Sequence, residues 1–436
     1  MKSTLLSLVF AVAVLEASAS IPSVTDVQLS ESGDWNRLFI SYRLSGAPAV
    51  VTVDVLTNGV SIGGEHLRTL SGDVNKVVEN GNETKTVVWN VVEEWPGKKI
   101  DGSAVSAIVT AWPTNSPPDY MVVDLRNDGS RGGLERIRYF TSTNFLPGGL
   151  LSTNYYRTDA MILRRIHAAN RPAFVGRTKW TPGFETRLPR FEATLTNDYY
   201  IGVFPVTQYQ WALVQQNAGR TSASELWPSF YSNVEFRNMR PVEQVSYNTV
   251  RGSKYPSAPN SDTYISRLRS QTGLAFDLPG DVQWEYACNG DTTDGFWNDG
   301  SPMTKAGSSA SSFTTCANLP GRYSGNVGPD SANANCDAAS GTAIVGSYPP
   351  STWGLYDMHG NVMEYLLDLL YAGLPDSRVT LRGAVNTYDS DGNGRHVLHG
   401  GCFNRDAYQA TSSYLNSEWP ASGYSVIGFR VVVNLP

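Results

Sequence analysis

The chain has 436 residues, more than one ordinary domain, so about two or three are expected. Hydrophobic residues make up 41% and charged ones 17%, with 40 glycines and 24 prolines, a balance that suits loops rather than long helices. The net charge is −6 and no basic block stands out, which excludes nucleic acid as an expected partner.

The first residues carry Lys2, an apolar run from Leu5 to Leu15, and then Ala17-Ser18-Ala19. That is the pattern of a secretory signal with an A-x-A cleavage site, too short to span a membrane. We therefore assign 1–20 to a signal peptide. The mature chain is expected to be exported (secreted or periplasmic) and not membrane-spanning, in a compartment where disulfides persist.

Residues 21–115 are predicted to form an all-β sandwich of the immunoglobulin or fibronectin type. Arg37–Leu44, Ala49–Val55, Lys85–Val91 and Ala104–Trp112 are strand-like runs rich in Val, Ile, Thr and Tyr, separated by turn residues. Thr114-Asn115-Ser116-Pro117-Pro118 reads as a linker. The segment 116–157 holds a strand-like Tyr120–Leu125 but is not assigned to either neighbour. A second domain is placed at 158–436, opening on Met161–Ile166, with Asp198–Phe204 as a further strand.

Thr207 followed by Gln210 forms a capping box for a helix to about Gln216. Ser261 or Asp262 is the expected cap of a helix carrying Ile265 and Leu268 and closed by Gly273. The stretch Leu278–Gly290 (LPGDVQWEYACNG) reads as another helix, with Trp284 in the core and Glu285 as an internal hydrogen-bond acceptor. Residues 301–340 are rich in Gly, Ser, Asn and Ala, bracketed by Cys316 and Cys336.

Four cysteines (Cys288, Cys316, Cys336, Cys402) allow three pairings, and none has CxxC spacing. We expect a Cys316–Cys336 disulfide; closing a loop of about 20 residues would stabilise by roughly 3 kcal/mol. Cys402 could pair with Cys288, lie buried and inert, or carry chemistry. His396 and His399 are three residues apart, which on a strand puts them on opposite faces and argues against a shared metal. Asp389–Gly394 (DSDGNG) has part of an EF-hand pattern but lacks the later glutamate and reads as a solvated turn.

The densest stretch is Trp353–Asp368 (WGLYDMHGNVMEYLLD). Its carboxylates, with carbonyls between them, suit a hard cation. The plainer reading is a helix start with Gly360 in the turn and Asn361 as cap. This stretch resembles the GLYDMxGNVWEW signature of the formylglycine-generating enzyme (sulfatase-modifying factor) family. Leu278–Gly290, Gly400-Gly401 before an aromatic, and Gly428-Phe429-Arg430 resemble that family in the same order.

The resemblance implies an irregular α+β fold related to C-type lectins for 158–436. It implies two calcium sites, one at Asn318, Leu319, Asp337 and Ala339, the other at Asp357, Gly360, Val362 and Glu364. In active relatives two cysteines after the Gly-Gly pair bind copper and turn a substrate cysteine into formylglycine. Here those positions fall on Arg405 and Ala410, and no cysteine follows Cys402. Neither side chain supplies the thiolate that Cu(I) requires, so copper is not expected. Arg405, Asp406 and Tyr408 remain as a polar cluster that could bind a ligand. The leading reading is a calcium-stabilised binding module for a peptide or glycan. The alternatives are an enzyme, either a sulfatase-maturing oxidase with altered ligands or one using Cys402, and a structural surface protein.

Overall fold

The computed structural model describes residues 21–33, 36–97, 104–127, 136–176, 191–290, 321–326, 341–370, 385, 387, 392 and 394–436. Among them no helix is long and apolar enough to cross a membrane.

The N-terminal part is two antiparallel sheets around one core. The first has the order Ser23–Glu31, Arg37–Ser45, Thr84–Asn90, Ser71–Gly72. The second is built on Ala49–Thr57, which pairs with Val105–Pro113 over its whole length. Alternation decides which side chains go inward: Leu38, Ile40, Tyr42 and Leu44 are buried while Arg37, Arg43 and Ser45 are exposed. Ile40, Tyr42 and Trp89 of one sheet meet Val51, Val53 and Val55 of the other. The four predicted strands are all present, within a residue or two at each end. The strand Ser23–Glu31 was not anticipated.

The unassigned segment belongs to the second sheet system. Tyr120–Asp124 lies between Ile137–Phe140 and Ala160–Ile166 in a six-stranded antiparallel sheet that continues through Tyr199–Gly202, Val432–Asn434 and Phe276–Asp277. The last strand of the chain thus closes onto the interior of the sheet. The predicted linker is clasped: Arg165 donates to the Pro117 carbonyl (2.5 Å), and the Tyr200 hydroxyl donates to the Pro118 carbonyl. Val50, Val77 and Trp112 of the N-terminal sheets pack into the same core as Met121 and Tyr139, and the Tyr139 amide donates to the Asn75 carbonyl (2.8 Å).

The capping box forms as expected. Thr207 Oγ1 accepts from the Gln210 amide, Gln210 Oε1 accepts from the Thr207 amide, and the helix runs Gln208–Asn217. The next cap is corrected: Thr263, not Ser261 or Asp262, accepts from the Ser266 amide and starts Tyr264–Thr272. Gly273 closes that helix at φ 74°, in the left-handed region that glycine favours.

The plainer reading of Trp353–Asp368 is also corrected, because Met363–Leu369 is a strand. All seven of its residues are buried, the mark of a strand covered on both faces. Asn361 does not cap a helix. It sits at φ 65°, accepts from the Ala343 amide (3.0 Å) and donates to the Ala343 carbonyl (3.2 Å), so its amide imitates a neighbouring strand. The strand is central in a four-stranded sheet, between His396–His399 and, in parallel, Ile427–Gly428.

Arg430 joins these layers. It is fully buried and pairs with both oxygens of Glu364 (2.7 Å each), itself fully buried. Its remaining donors reach the Gly202 carbonyl (2.8 Å) and the Tyr356 carbonyl (3.0 Å). Trp284 Nε1 donates to Glu364 from the Asp281–Asn289 helix (2.6 Å). Removing one partner of such a pair strands the other charge in the interior. We expect Glu364→Gln to lower unfolding stability by roughly 3–5 kcal/mol, measured by denaturant titration.

Candidate functional site

The Gly400-Gly401 turn leaves the His396–His399 strand and enters the region where the sequence placed chemistry. Gly400 (φ 91°) accepts from the Gly360 amide through its carbonyl (2.6 Å). Gly401 (φ 67°) is pressed against the 3-10 turn Ala407–Ala410; a β-carbon there would lie 2.6 Å from the Gln409 carbonyl oxygen. Only glycine fits that combination of dihedral and close approach. Phe403 follows, buried edge-on to Tyr231 (5.2 Å between centroids), which meets the exposed ring of Phe230 (5.0 Å).

Beyond the turn, Arg405 is exposed and its carbonyl accepts from the Ser324 amide (3.0 Å). Asp406 is partly exposed and accepts from Ser324 Oγ (3.1 Å). The backbone at Tyr408 lies in the 3-10 turn, and its side chain is outside the described set. Ala410 is buried, and its carbonyl accepts from His359 Nδ1 (2.7 Å).

Neither described cysteine forms a disulfide, so pairing of Cys288 with Cys402 is ruled out here. Cys402 is buried and its thiol donates to Asn404 Oδ1 (3.2 Å). Burial pushes that thiol up to about 11, so it stays protonated at neutral pH. Cys288 is also buried, with its Sγ 3.5 Å from His359 Nε2. Because Nδ1 of His359 donates to a carbonyl, Nε2 is the acceptor in the neutral ring and the thiol is the donor. Burial holds this thiol well above its ordinary range. The expected Cys316–Cys336 bond lies outside the described residues.

The two implied calcium sets fare differently. Asn318, Leu319, Asp337 and Ala339 lie outside the described residues. The second set is described, and its two carboxylates are already engaged. Glu364 accepts three hydrogen bonds from Arg430 and Trp284, leaving about one of its four lone-pair sites. Asp357, at φ 56°, accepts from the Gly346 amide (2.7 Å) and from Asn361 Nδ2 (3.4 Å). Burial raises its carboxyl to about 6. Gly360 and Val362 offer carbonyls on the same turn, but the charge-neutralising partner in place is a guanidinium. The Glu364 carboxylate fits Arg430 better than a dication needing 6–8 oxygens, while Asp357 is held by a backbone amide and a side-chain amide. DSDGNG (389–394) falls mostly on residues that are not described.

The two strand histidines separate as their spacing implies. His396 stacks on Tyr247 (3.4 Å between centroids, 11°), and His399 on Trp284 (5.0 Å, 8°). Burial, with the Lys254 cation second, pushes His396 down to about 3. Sequence reasoning missed what His399 meets. Its Nε2 is 2.5 Å from Asp281 Oδ1, and Glu285 lies beside them. Glu285 does accept an internal hydrogen bond, from the Gly176 amide (2.8 Å), and burial raises its carboxyl to about 8. The available signal was Asp281 and Glu285 four residues apart on one helix face.

Residues 130–435 match the family described as sulfatase-modifying factor enzyme 1-like domain. The chain belongs to this family. The match covers the six-stranded sheet from Ile137 onward, both glycine turns and the Glu364–Arg430 pair. Among solved structures the chain is similar to Treponema denticola variable protein 1, at 21% identity over 64% of this chain and 96% of that one, TM-score 0.41. It is also similar to PvdO from Pseudomonas aeruginosa, at 19% identity over 63% and 94%, TM-score 0.45. No curated protein matches it. At the two positions where the family's resemblance implies copper-binding cysteines, the chain has an exposed arginine and a buried alanine.

Two outcomes follow from this geometry. Alkylation at neutral pH should leave Cys288 and Cys402 unmodified in the native chain and modify both after denaturation, read by peptide mass spectrometry. For His396, the unfolded chain takes up a proton near pH 6.5 that the folded chain refuses until about pH 3, so its contribution is lost as pH falls through that window. The stability difference between wild type and His396→Asn should therefore shrink by about 2 kcal/mol between pH 7 and pH 5, measured by urea titration at each pH.

Proposed function

We propose that this member of the sulfatase-modifying factor family is an exported binding module that keeps the family scaffold without its copper oxidase site. One observation carries the reading. The turn that would present the two copper thiolates is intact around Gly400 and Gly401, yet Arg405 and Ala410 stand at those positions and the neighbouring Cys402 thiol is buried and protonated. A soft Cu(I) ion finds no thiolate donors there.

The ligand face in this reading is the surface around Arg405, Asp406 and Tyr408, with the exposed Phe230 ring nearby through Phe403 and Tyr231. An aromatic face beside a cation and a carboxylate suits a peptide or a glycan, since ring area supplies contact and the charges fix orientation. The N-terminal sheets serve as an immunoglobulin-type spacer, and the catalytic family fold acts in the manner of a C-type lectin. Calcium, in this proposal, is held at the first set alone, giving about one ion per chain rather than two.

The purified mature chain should retain no copper after Cu(I) loading and should not oxidise a cysteine-containing peptide. On peptide and glycan arrays it should bind, and Phe230→Ala or Arg405→Ala should weaken that binding by about tenfold or more. Copper-dependent peptide oxidation would establish the enzyme reading instead. Self-assembly without array binding would establish a structural surface protein.

A further inference from the structure

The Asp281, Glu285 and His399 cluster is not used by any reading above. One ligand atom from each lies within 4.8 Å of the others. Asp281 and Glu285 are one turn apart on the Asp281–Asn289 helix, and His399 faces them from the strand just before Gly400. His399 and Glu285 are nearly fully buried, while the Asp281 side chain is 19% exposed and opens the cluster to solvent.

The orientation of the imidazole is informative. His399 Nδ1 is 2.8 Å from the Tyr414 carbonyl. A backbone carbonyl can only accept, so Nδ1 carries the hydrogen and Nε2 is the nitrogen turned to the carboxylates. The Trp284 ring stacks on the imidazole and fixes its plane. A histidine whose outer nitrogen donates to a backbone carbonyl, with the inner nitrogen facing acids, is the arrangement that prepares a metal ligand. The Tyr414 carbonyl and the Trp284 face are both outside the cluster and both restrict it to that pose.

The geometry points to a binding site for one first-row divalent cation, zinc in the first place, with His399 Nε2 and the Asp281 and Glu285 carboxylates as its three protein ligands. One nitrogen and two carboxylates match zinc better than calcium, which prefers oxygen alone. Ligand atoms around zinc stand about 3.3 Å apart at bond lengths near 2.0–2.2 Å. The Asp281 oxygen, at 2.5 Å from Nε2, would have to withdraw by under about 1 Å, and its partly exposed side chain leaves room for that. The ion would tie the helix to the strand that carries the Gly-Gly turn.

The test uses the full mature chain, stripped with chelator and dialysed against zinc chloride, with cobalt chloride as a spectroscopic stand-in. We expect about one zinc per chain, and at least about tenfold weaker binding in His399→Ala and Glu285→Gln. The cobalt form should show weak visible bands without thiolate charge transfer. No zinc retention, or equal retention in both variants, would mean a plain His399–Asp281 ion pair and overturn the proposal. Thiolate charge transfer would assign the metal to cysteine and overturn it as well. If a variant does not fold, the wild-type cobalt spectrum still decides. None of these readouts depends on copper uptake or on array binding.

Discussion

A single buried ion pair holds four separate parts of the sequence together. Glu364 comes from the central strand of the small sheet and Arg430 from the last stretch of the chain, 66 residues later. Trp284 adds a third donor from the helix, and the carbonyls of Gly202 and Tyr356 take up the rest of the guanidinium. A pair like this is weak as net stabilisation, because desolvating two charges offsets most of their attraction. Its value is geometric. Four hydrogen bonds at fixed angles from one planar group restrict the surrounding backbone to an arrangement that satisfies them together. The Gly-Gly turn depends on that arrangement, since Gly400 sits under Trp284 and bonds Gly360.

The scaffold's contacts are largely separate from the side chains at Arg405 and Ala410. The residues that set the turn are two glycines, a tryptophan and an ion pair, and of these Gly401 packs on the backbone of Ala410. Arg405 and Ala410 lie beyond the turn, one in solvent and one against His359. Of the two, only the Arg405 side chain is presented at the surface. The fold by itself does not fix the activity.

Much of the fold was legible because its signals are local. The N-terminal strands show in the alternation of Leu38, Ile40, Tyr42 and Leu44, and the Thr207 helix shows in its own capping box. Features that depend on distant partners were not legible. Tyr120–Asp124 has its neighbours at Ile137–Phe140 and Ala160–Ile166, so no local pattern assigns it to a sheet. Asn361 resembles a helix cap in sequence, but Ala343 supplies its partner groups. Glu364 looks like a cation ligand until Arg430 is placed against it. The candidate site divides the same way: Arg405 and Ala410 could be located by counting from the Gly-Gly pair, whereas the meeting of His399 with Asp281 spans 118 residues.

The clasped linker has a mechanical consequence. A pull on the N-terminal sheets would not first straighten a slack tether, because Arg165 and Tyr200 grip the Pro117 and Pro118 carbonyls and Trp112 is seated in the next core. The load would pass directly into Tyr120–Asp124, which is bonded on both edges. Those hydrogen bonds run across the direction of pull, so they would be sheared together rather than peeled one at a time. A molecule anchored at one end and gripping a ligand at the other would transmit tension as a stiff rod does.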